Sequence, residues 1–265
     1  MTEPAVETEG LTIDFGGLRA VDEVSLSVPV GRRWAIIGPN GAGKTTLFNL
    51  LAGQLKPSRG TVKLFGEDVT GLAPPLRARK GLARTFQITN LLPDLSVHEN
   101  ALLAVAAHNP RARRTLWRPL SRIPAIAGPA EELLRRWELW DLRDRRVAQL
   151  AYGQQRVLEI VLALAANPRL LLLDEPTAGL SRRDAALMVE VTASLPSDLT
   201  LVLIEHDMEV AFGLASFVQV MSDGAILASG TPEEVQADER VIEAYLGAVE
   251  GQVERDGGAP VDRGE

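Results

Sequence analysis

Three short segments carry side chains whose types and spacing could do chemistry together. Gly38-Pro39-Asn40-Gly41-Ala42-Gly43-Lys44-Thr45 has the spacing G-x-x-x-x-G-K-[ST]. It stands between a continuous apolar run, Trp34 to Ile37, and a helical stretch, Thr45 to Ala52, that Gly53 ends. Glycines let such a loop curl so that successive N–H groups point inward at a phosphate, and the following helix adds its positive N-terminus. Lys44 brings a point charge to the β- and γ-phosphates, the Thr45 hydroxyl is placed to ligate Mg²⁺, and Thr46 completes the phosphate-binding set. The plainer alternative is a tight glycine turn, which would need neither the lysine nor the strand-helix setting.

The second segment is Leu170-Leu171-Leu172-Leu173-Asp174-Glu175. A buried strand ends on two adjacent carboxylates, at the end where ligands sit in open α/β sheets. Asp174 is expected to join the Mg²⁺ shell, and Glu175, facing the other way, to polarise an attacking water. The third segment, Ile204-Glu205-His206-Asp207, closes another apolar run, and His206 is expected to hydrogen-bond the γ-phosphate and the water. His98 and His108 lack such a setting and read as ordinary helix or loop residues. Together the three segments read as a P-loop nucleoside triphosphatase.

The elements that must position these groups follow from patterning. Leu11 to Phe15 and Val24 to Val28 alternate apolar and polar residues as half-buried strands do. Trp34 to Ile37 suits a buried parallel strand, and Thr61 to Phe65 is a further strand. In the middle, Ser96-x-x-Glu99 before Ala101 to Ala107 is a capping-box helix start, and Pro129 to Trp140 and Gln154 to Ala166 read as helices. Strands return at Leu170 to Leu173 and Leu199 to Ile204, and Phe217 to Met221 and Ala225 to Ala228 flank a Ser222-Asp223-Gly224 hairpin signal. The expected fold is an α/β core with a helical subdomain inserted at about residues 88–166, without internal repeat or linker. Met1 to Glu9 reads as a polar lead-in, and the segment 248–265 as a polar, disordered tail.

Composition sets the outer bounds. A chain of 265 residues, 46% hydrophobic and 24% charged, can bury a sizeable core. With no Cys there is no disulfide, thiolate metal site or Cys nucleophile, and 3 His leave little for a histidine metal centre. A net charge of -7 argues against broad nucleic-acid binding. No apolar run reaches the ~18 residues that span a bilayer; the longest, Val157 to Leu173, is broken by Glu159 and by Asn167-Pro168-Arg169. The acidic N-terminus is no secretory signal, so the expected location is the cytoplasm, with any membrane role through a partner. From Arg77 to Arg156 there are 15 Lys and Arg against 7 Asp and Glu. That excess is either a solvated helical surface or a face that docks another protein near a membrane or phosphates.

Further segments give residues 10–247 a resemblance to the ATPase subunit of ABC transporters. Leu150-Ala151-Tyr152-Gly153-Gln154-Gln155-Arg156, just before a helix and upstream of Asp174-Glu175, is similar to the ABC signature, usually Leu-Ser-Gly-Gly-Gln. Gln87, in Arg84-Thr85-Phe86-Gln87, matches the family's Q-loop glutamine. Ala178-Gly179-Leu180-Ser181 matches the D-loop, His206 the switch histidine, and Phe15 falls where the family stacks an aromatic ring on adenine. The resemblance implies a P-loop (RecA-like) core with an N-terminal antiparallel β-subdomain and an inserted α-helical subdomain. It implies ATP and Mg²⁺ as ligands, with Thr45, Gln87 and Asp174 around the metal and Glu175, His206 and Gln87 as catalytic groups. Ala151, Tyr152, Gly153 and Gln154 would act in trans, on ATP held by a second cassette, identical or different. Two positions depart from the pattern. Ala151 stands for the signature Ser and Tyr152 for its first Gly, which removes a hydroxyl that family members place on the γ-phosphate; Ser181 stands for the D-loop Asp.

A finer resemblance is carried by Phe15-Gly16-Gly17-Leu18-Arg19-Ala20-Val21, Arg84 to Gln87, Tyr152 to Arg156, Ile204 to Met208 and Val241 to Gly247. These are similar to the ATPases of branched-chain amino acid importers, a branch that also serves other amino acids and amides. It implies membrane permease subunits, a periplasmic substrate-binding protein reached through them, no nucleic acid, and a peripheral place on the inner face of the cell membrane. ATPases of lipid or lipopolysaccharide export share the same catalytic core. Soluble ABC proteins of translation or DNA repair usually carry two cassettes or a long coiled coil, and this chain has neither. A module that binds ATP without hydrolysis would not need both Glu175 and His206.

Overall fold

The computed structural model describes residues 3–85, 91–109 and 118–245. The chain opens with strands β1 (Pro4–Phe15) and β2 (Leu18–Pro29), then β3 (Arg33–Ile37), helix α1 (Lys44–Ala52), β4 (Arg59–Leu64), β5 (Glu67–Asp68), α2 (Pro74–Arg79) and β6 (Leu82–Arg84). Helices α3 (Val97–His108), α4 (Pro124–Arg136) and α5 (Tyr152–Ala163) follow. The remainder alternates: β7 (Leu170–Asp174), α6 (Arg182–Ala193), β8 (Thr200–Ile204), α7 (Met208–Leu214), β9 (Phe217–Ser222), β10 (Ala225–Gly230) and α8 (Pro232–Gln236). Residues 239–245 are helical.

Two sheets result. Strands order β2-β1-β4-β5 in an antiparallel sheet, and β10-β9-β3-β8-β7-β6 in a second sheet that is parallel except for the β9-β10 hairpin. The pure apolar runs make the parallel strands because both faces of that sheet are covered. Ala35, Ile37, Leu171, Leu173, Leu201 and Leu203 face a core shared with α3, α4 and α5. Trp34, Ile36, Leu170, Leu172, Val202 and Ile204 face a second core, with α1 and the antiparallel sheet.

Several expected boundaries are corrected. Residues 4–9, expected as lead-in, belong to β1, so the folded unit begins ahead of Gly10. Thr8 reads as polar but is buried: its hydroxyl donates to the Val24 carbonyl and accepts from the Leu26 N–H. Helix α4 starts at Pro124, five residues before the expected Pro129, and ends before Trp140, which lies in a separate 3₁₀ turn. Pro129 has no N–H to give the carbonyl one turn back. That carbonyl, of Ala125, instead accepts from the Asn109 side-chain amide at 3.0 Å. Helix α5 begins at Tyr152 rather than Gln154 and ends at Ala163, the chain continuing to Ala166 as a 3₁₀ turn. The Ser96–Glu99 capping box is formed, each partner bonding the other's backbone N–H. The tail 248–265 lies outside the described residues.

The cationic excess from Arg77 to Arg156 is partly internal. Arg77 is fully buried, and its guanidinium donates to the carbonyls of Leu50, Leu51, Thr70 and Leu72, closing the end of α1; burial pushes its pKa down to about 10. Arg156 is buried against Glu159 at 3.2 Å. Neither belongs to a docking face. Among the described residues no helix is long and apolar enough to cross a membrane.

Candidate functional site

Strands β3, β8 and β7 are neighbours in the parallel sheet, so their C-terminal ends share one edge. The phosphate loop leaves β3, Glu205-His206 leaves β8, and Asp174-Glu175 leaves β7. The fold therefore brings together the three segments that the sequence singles out. Gly38 is wedged under the sheet: a Cβ there would collide with the Met221 carbonyl. Gly43, at φ 94°, is the N-cap of α1, and a Cβ on it would strike the Ala20 carbonyl of β2. Gly41, at φ 84°, faces open space, which leaves room above the loop for a ligand. The Gly224 N–H donates to the Ala42 carbonyl, so the β9-β10 turn braces the loop from outside.

Lys44 lies in the first turn of α1 and is buried. Its ammonium donates to the carbonyls of Gly38 at 2.7 Å and Pro39 at 2.9 Å, curling the loop around its own charge. Burial pulls its pKa below the usual lysine range, against the pull of Glu175 and then Asp174. Glu175 itself holds a left-handed backbone, φ 46°, as its N–H donates to the Ile204 carbonyl. A non-glycine residue in that region is strained, and such strain gathers at working sites.

Asp174 is 2% exposed. Its Oδ2 accepts from the Arg84 guanidinium at 2.7 Å, while Oδ1 is buried without a hydrogen-bond partner among the described residues. Arg84 also donates to Asn49 Oδ1 and Gln54 Oε1, and its guanidinium lies 5.7 Å from the Phe48 ring centroid. Read in the sequence as part of a Q-loop match, Arg84 is here the counter-ion of the expected metal-ligating aspartate. Gln87 lies outside the described residues.

The remaining expected site residues fall as follows. Phe15 ends β1 with its ring 48% exposed, free for stacking. The side chain of His206 is 55% exposed beyond β8. Ala151 is the N-cap of α5 and offers no side-chain acceptor; its N–H donates to Gln154 Oε1. Tyr152, Gly153 and Gln154 form the first turn, where backbone N–H groups lack intrahelical partners. The Tyr152 phenol accepts from Arg156 Nε, and the Asp184 carboxylate occupies the space beside Gly153. Ser181, in place of an aspartate, caps α6 by accepting from the Asp184 N–H and donating to Asp184 Oδ2.

Two further residues reach the site. The Tyr245 phenol packs near the Gly38 backbone, its hydroxyl closed off from solvent and without a hydrogen-bond partner among the described residues. Burial pushes its pKa up to about 12. Glu205 is fully buried under the switch segment. Its place after an apolar run hinted only at a strand end, and nothing in the pattern showed the side chain turning inward.

The ABC transporter family model matches residues 21–178, more than half of the chain, and the chain belongs to that family. A second model, for the branched-chain amino acid ATP-binding cassette transporter, matches residues 225–251. The high-affinity branched-chain amino acid transport ATP-binding protein BraF of Pseudomonas aeruginosa is 40% identical over 256 residues, covering 93% of this chain and 99% of that protein. Its counterpart LivG of Escherichia coli K12 is 39% identical over the same coverage. Among solved structures, an ATP-binding cassette of an ABC transporter in its ADP conformation superposes with a TM-score of 0.82 at 30% identity, covering 93% of this chain and 100% of the other. A dimeric cassette in a post-hydrolysis state, bound to ADP and Pi, gives a TM-score of 0.71 at 26% identity, with 86% and 98% covered.

Proposed function

We propose that this chain is the ATP-binding and ATP-hydrolysing subunit of an importer of branched-chain amino acids or related amino acids and amides. The observation that carries the reading is the shared edge of β3, β8 and β7, where the phosphate loop, His206 and the pair Asp174-Glu175 meet. The Gly38–Lys44 backbone and the start of α1 receive the phosphates, Lys44 neutralises the β- and γ-oxygens, and Phe15 stacks on the adenine.

Mg²⁺ suits the oxygen donors that converge there. Asp174 Oδ1 is buried without a hydrogen-bond partner among the described residues, and Thr45 sits in the first turn of α1. Thr45, Asp174 and Gln87 would hold the ion. When bound, Mg²⁺ supplies charge neutralisation between the β- and γ-phosphates. Glu175 accepts a proton from the attacking water, and exposed His206 donates to the γ-phosphate. Catalysis on this plan is positioning and charge stabilisation.

The signature residues Ala151 to Gln154 complete the site in trans, in a dimer with an identical or different cassette. The likeness to a dimeric cassette supports this arrangement. Nucleotide closes the pair, and hydrolysis with release opens it. The helical segment α3–α5, about residues 88–166 of a nucleotide-binding domain ending near 247, passes that motion to membrane permease subunits. We assign their contact to an open groove where Leu91, Leu92, Leu103 and Leu162 lie beside Arg84, Thr85, Asn100 and Glu159. The chain then sits on the cytoplasmic face of the membrane, with a periplasmic substrate-binding protein acting through the permease. The test is reconstitution with the permease subunits. ATPase activity rises with a binding protein loaded with leucine, isoleucine or valine; stimulation only by a lipid or lipopolysaccharide would refute the substrate class.

A further inference from the structure

The hydrolytic segments are joined from beneath by a carboxylate that the reading above gives no part. Glu205 is 0% exposed. Its Oε1 accepts from the Thr177 N–H at 3.2 Å and from the Thr177 hydroxyl at 2.8 Å. Thr177 lies two residues after Glu175, in the turn that follows β7. The other oxygen, Oε2, accepts from the His206 N–H at 3.3 Å and stands 3.7 Å from His206 Nδ1. A single buried side chain thus holds the turn carrying the expected base with one oxygen and the switch histidine with the other.

We propose that Glu205 is the positioning residue of the hydrolytic site, fixing the Glu175–Thr177 turn and orienting the His206 imidazole so that Nε2 faces the γ-phosphate. The chemistry is that of a carboxylate behind a histidine. An Nδ1–H turned toward Glu205 fixes the ring's tautomer and direction, and leaves Nε2 for the ligand side. Burial of the carboxylate, which pushes its pKa above the usual glutamate range, strengthens its hold on any donor that faces it. Fully burying a carboxylate whose partners are a threonine and the His206 segment, with no Lys or Arg ion pair among the described residues, is costly, which makes a purely space-filling role a poor account of it. Leucine or methionine would fill the same volume without that cost.

The inference rests on the assignment of Glu175 and His206 as hydrolytic groups, and its test separates the two. Glu205→Gln is isosteric and keeps an oxygen for Thr177, but turns an amide NH₂ toward the His206 N–H and Nδ1, where two donors would face each other. Thr177→Val removes the shorter of the two bonds on the opposite side of the brace, the hydroxyl's, and keeps the backbone N–H. ATP turnover is measured for both variants with the partner cassette and permease present, alongside ¹⁵N signals of the His206 ring, which is one of only 3 histidines in the chain. For Glu205→Gln the expected results are a fall in kcat of at least ~10-fold, the weight of one hydrogen bond to a charged group, a KM for ATP within about twofold of the parent, and a shift of the His206 signals away from the Nδ1–H tautomer. Thr177→Val lowers kcat and leaves the His206 signals in place. The inference is overturned if Glu205→Gln turns over like the parent. It is equally overturned if kcat and thermal stability fall together with a rise in KM while the His206 signals stay unchanged, because Glu205 is then scaffold alone. Glu175→Gln run in parallel must be inactive; if it is active, the hydrolytic assignment fails and Glu205 is not what failed.

Discussion

Replacing Arg84 with methionine should reveal how the metal-ligating carboxylate is kept charged in the interior. The two side chains are 6% and 1% exposed and meet at 2.7 Å. Arg84→Met leaves Asp174 buried without its counter-ion and releases Asn49 and Gln54 from their shared donor. Breaking one partner of a buried pair costs about 3–5 kcal/mol, because the surviving charge stays desolvated. For a chain of this size that is a fall in melting temperature on the order of 10 °C. Urea unfolding of nucleotide-free protein gives the free energy directly. Asp174→Asn in the same background should restore part of the loss, since it removes the orphaned charge, and the double-mutant cycle should return a coupling of roughly 2 kcal/mol or more. Mg²⁺ with ATP should stabilise Arg84→Met more than it stabilises the parent, because the bound cation then offsets a carboxylate charge that no guanidinium pairs. An Arg84→Met protein within about 0.5 kcal/mol of the parent, the range of an inert surface change, would refute the argument that this pair is what makes a buried Asp174 tolerable.

Other outcomes follow from single contacts. Lys44→Ala should abolish ATP binding and turnover with circular dichroism unchanged, since the ammonium is the loop's own counter-charge to phosphate. Arg77→Leu should cost about 3–5 kcal/mol in urea unfolding, because it removes four hydrogen bonds to carbonyls at and beyond the end of α1. Tyr245→Phe should be neutral or stabilising by up to ~1 kcal/mol in thermal melts, because the hydroxyl it removes is buried and poorly paired. Ala151→Ser should lower the ATP concentration for half-maximal dimer closure by roughly 10-fold, the lower end of the effect of one restored hydrogen bond to phosphate; an unchanged value would place this segment away from nucleotide. The raised pKa of Glu205 gives stability that is fully present below the ordinary carboxylate range and is lost as pH rises through the raised value. Glu205→Gln should therefore remove part of the decline in unfolding free energy between acidic and neutral pH.

Much of the site was legible because the chemistry of phosphate binding constrains sequence locally. The loop, its strand and its helix lie within about twenty consecutive residues, and the strand ends that carry Asp174 and His206 follow uninterrupted apolar runs. Those runs are pure because helices and a second sheet cover both faces of the parallel sheet. What escaped notice depends on long-range packing. Arg77 and Arg84 look like members of a basic surface until the fold encloses them. Thr8 looks like part of a polar lead-in until β2 offers its carbonyl and N–H. Pro129 looks like a helix start because the amide that satisfies Ala125 comes from Asn109, 16 residues away. Glu205 reads only as part of a segment that closes an apolar run, and the turn at Thr177 gives it a reason to face inward.

The central claim is that this edge of the sheet hydrolyses ATP with Glu175 as the base. Glu175→Gln preserves the shape of the side chain and removes its basicity. Nucleotide binding and turnover measured on this variant with Mg²⁺ and the partner cassette should show ATP affinity near that of the parent, turnover lowered by about 10²–10⁴-fold, and an ATP-bound dimer accumulating in sedimentation. Turnover equal to that of the parent would contradict the account and place the base elsewhere.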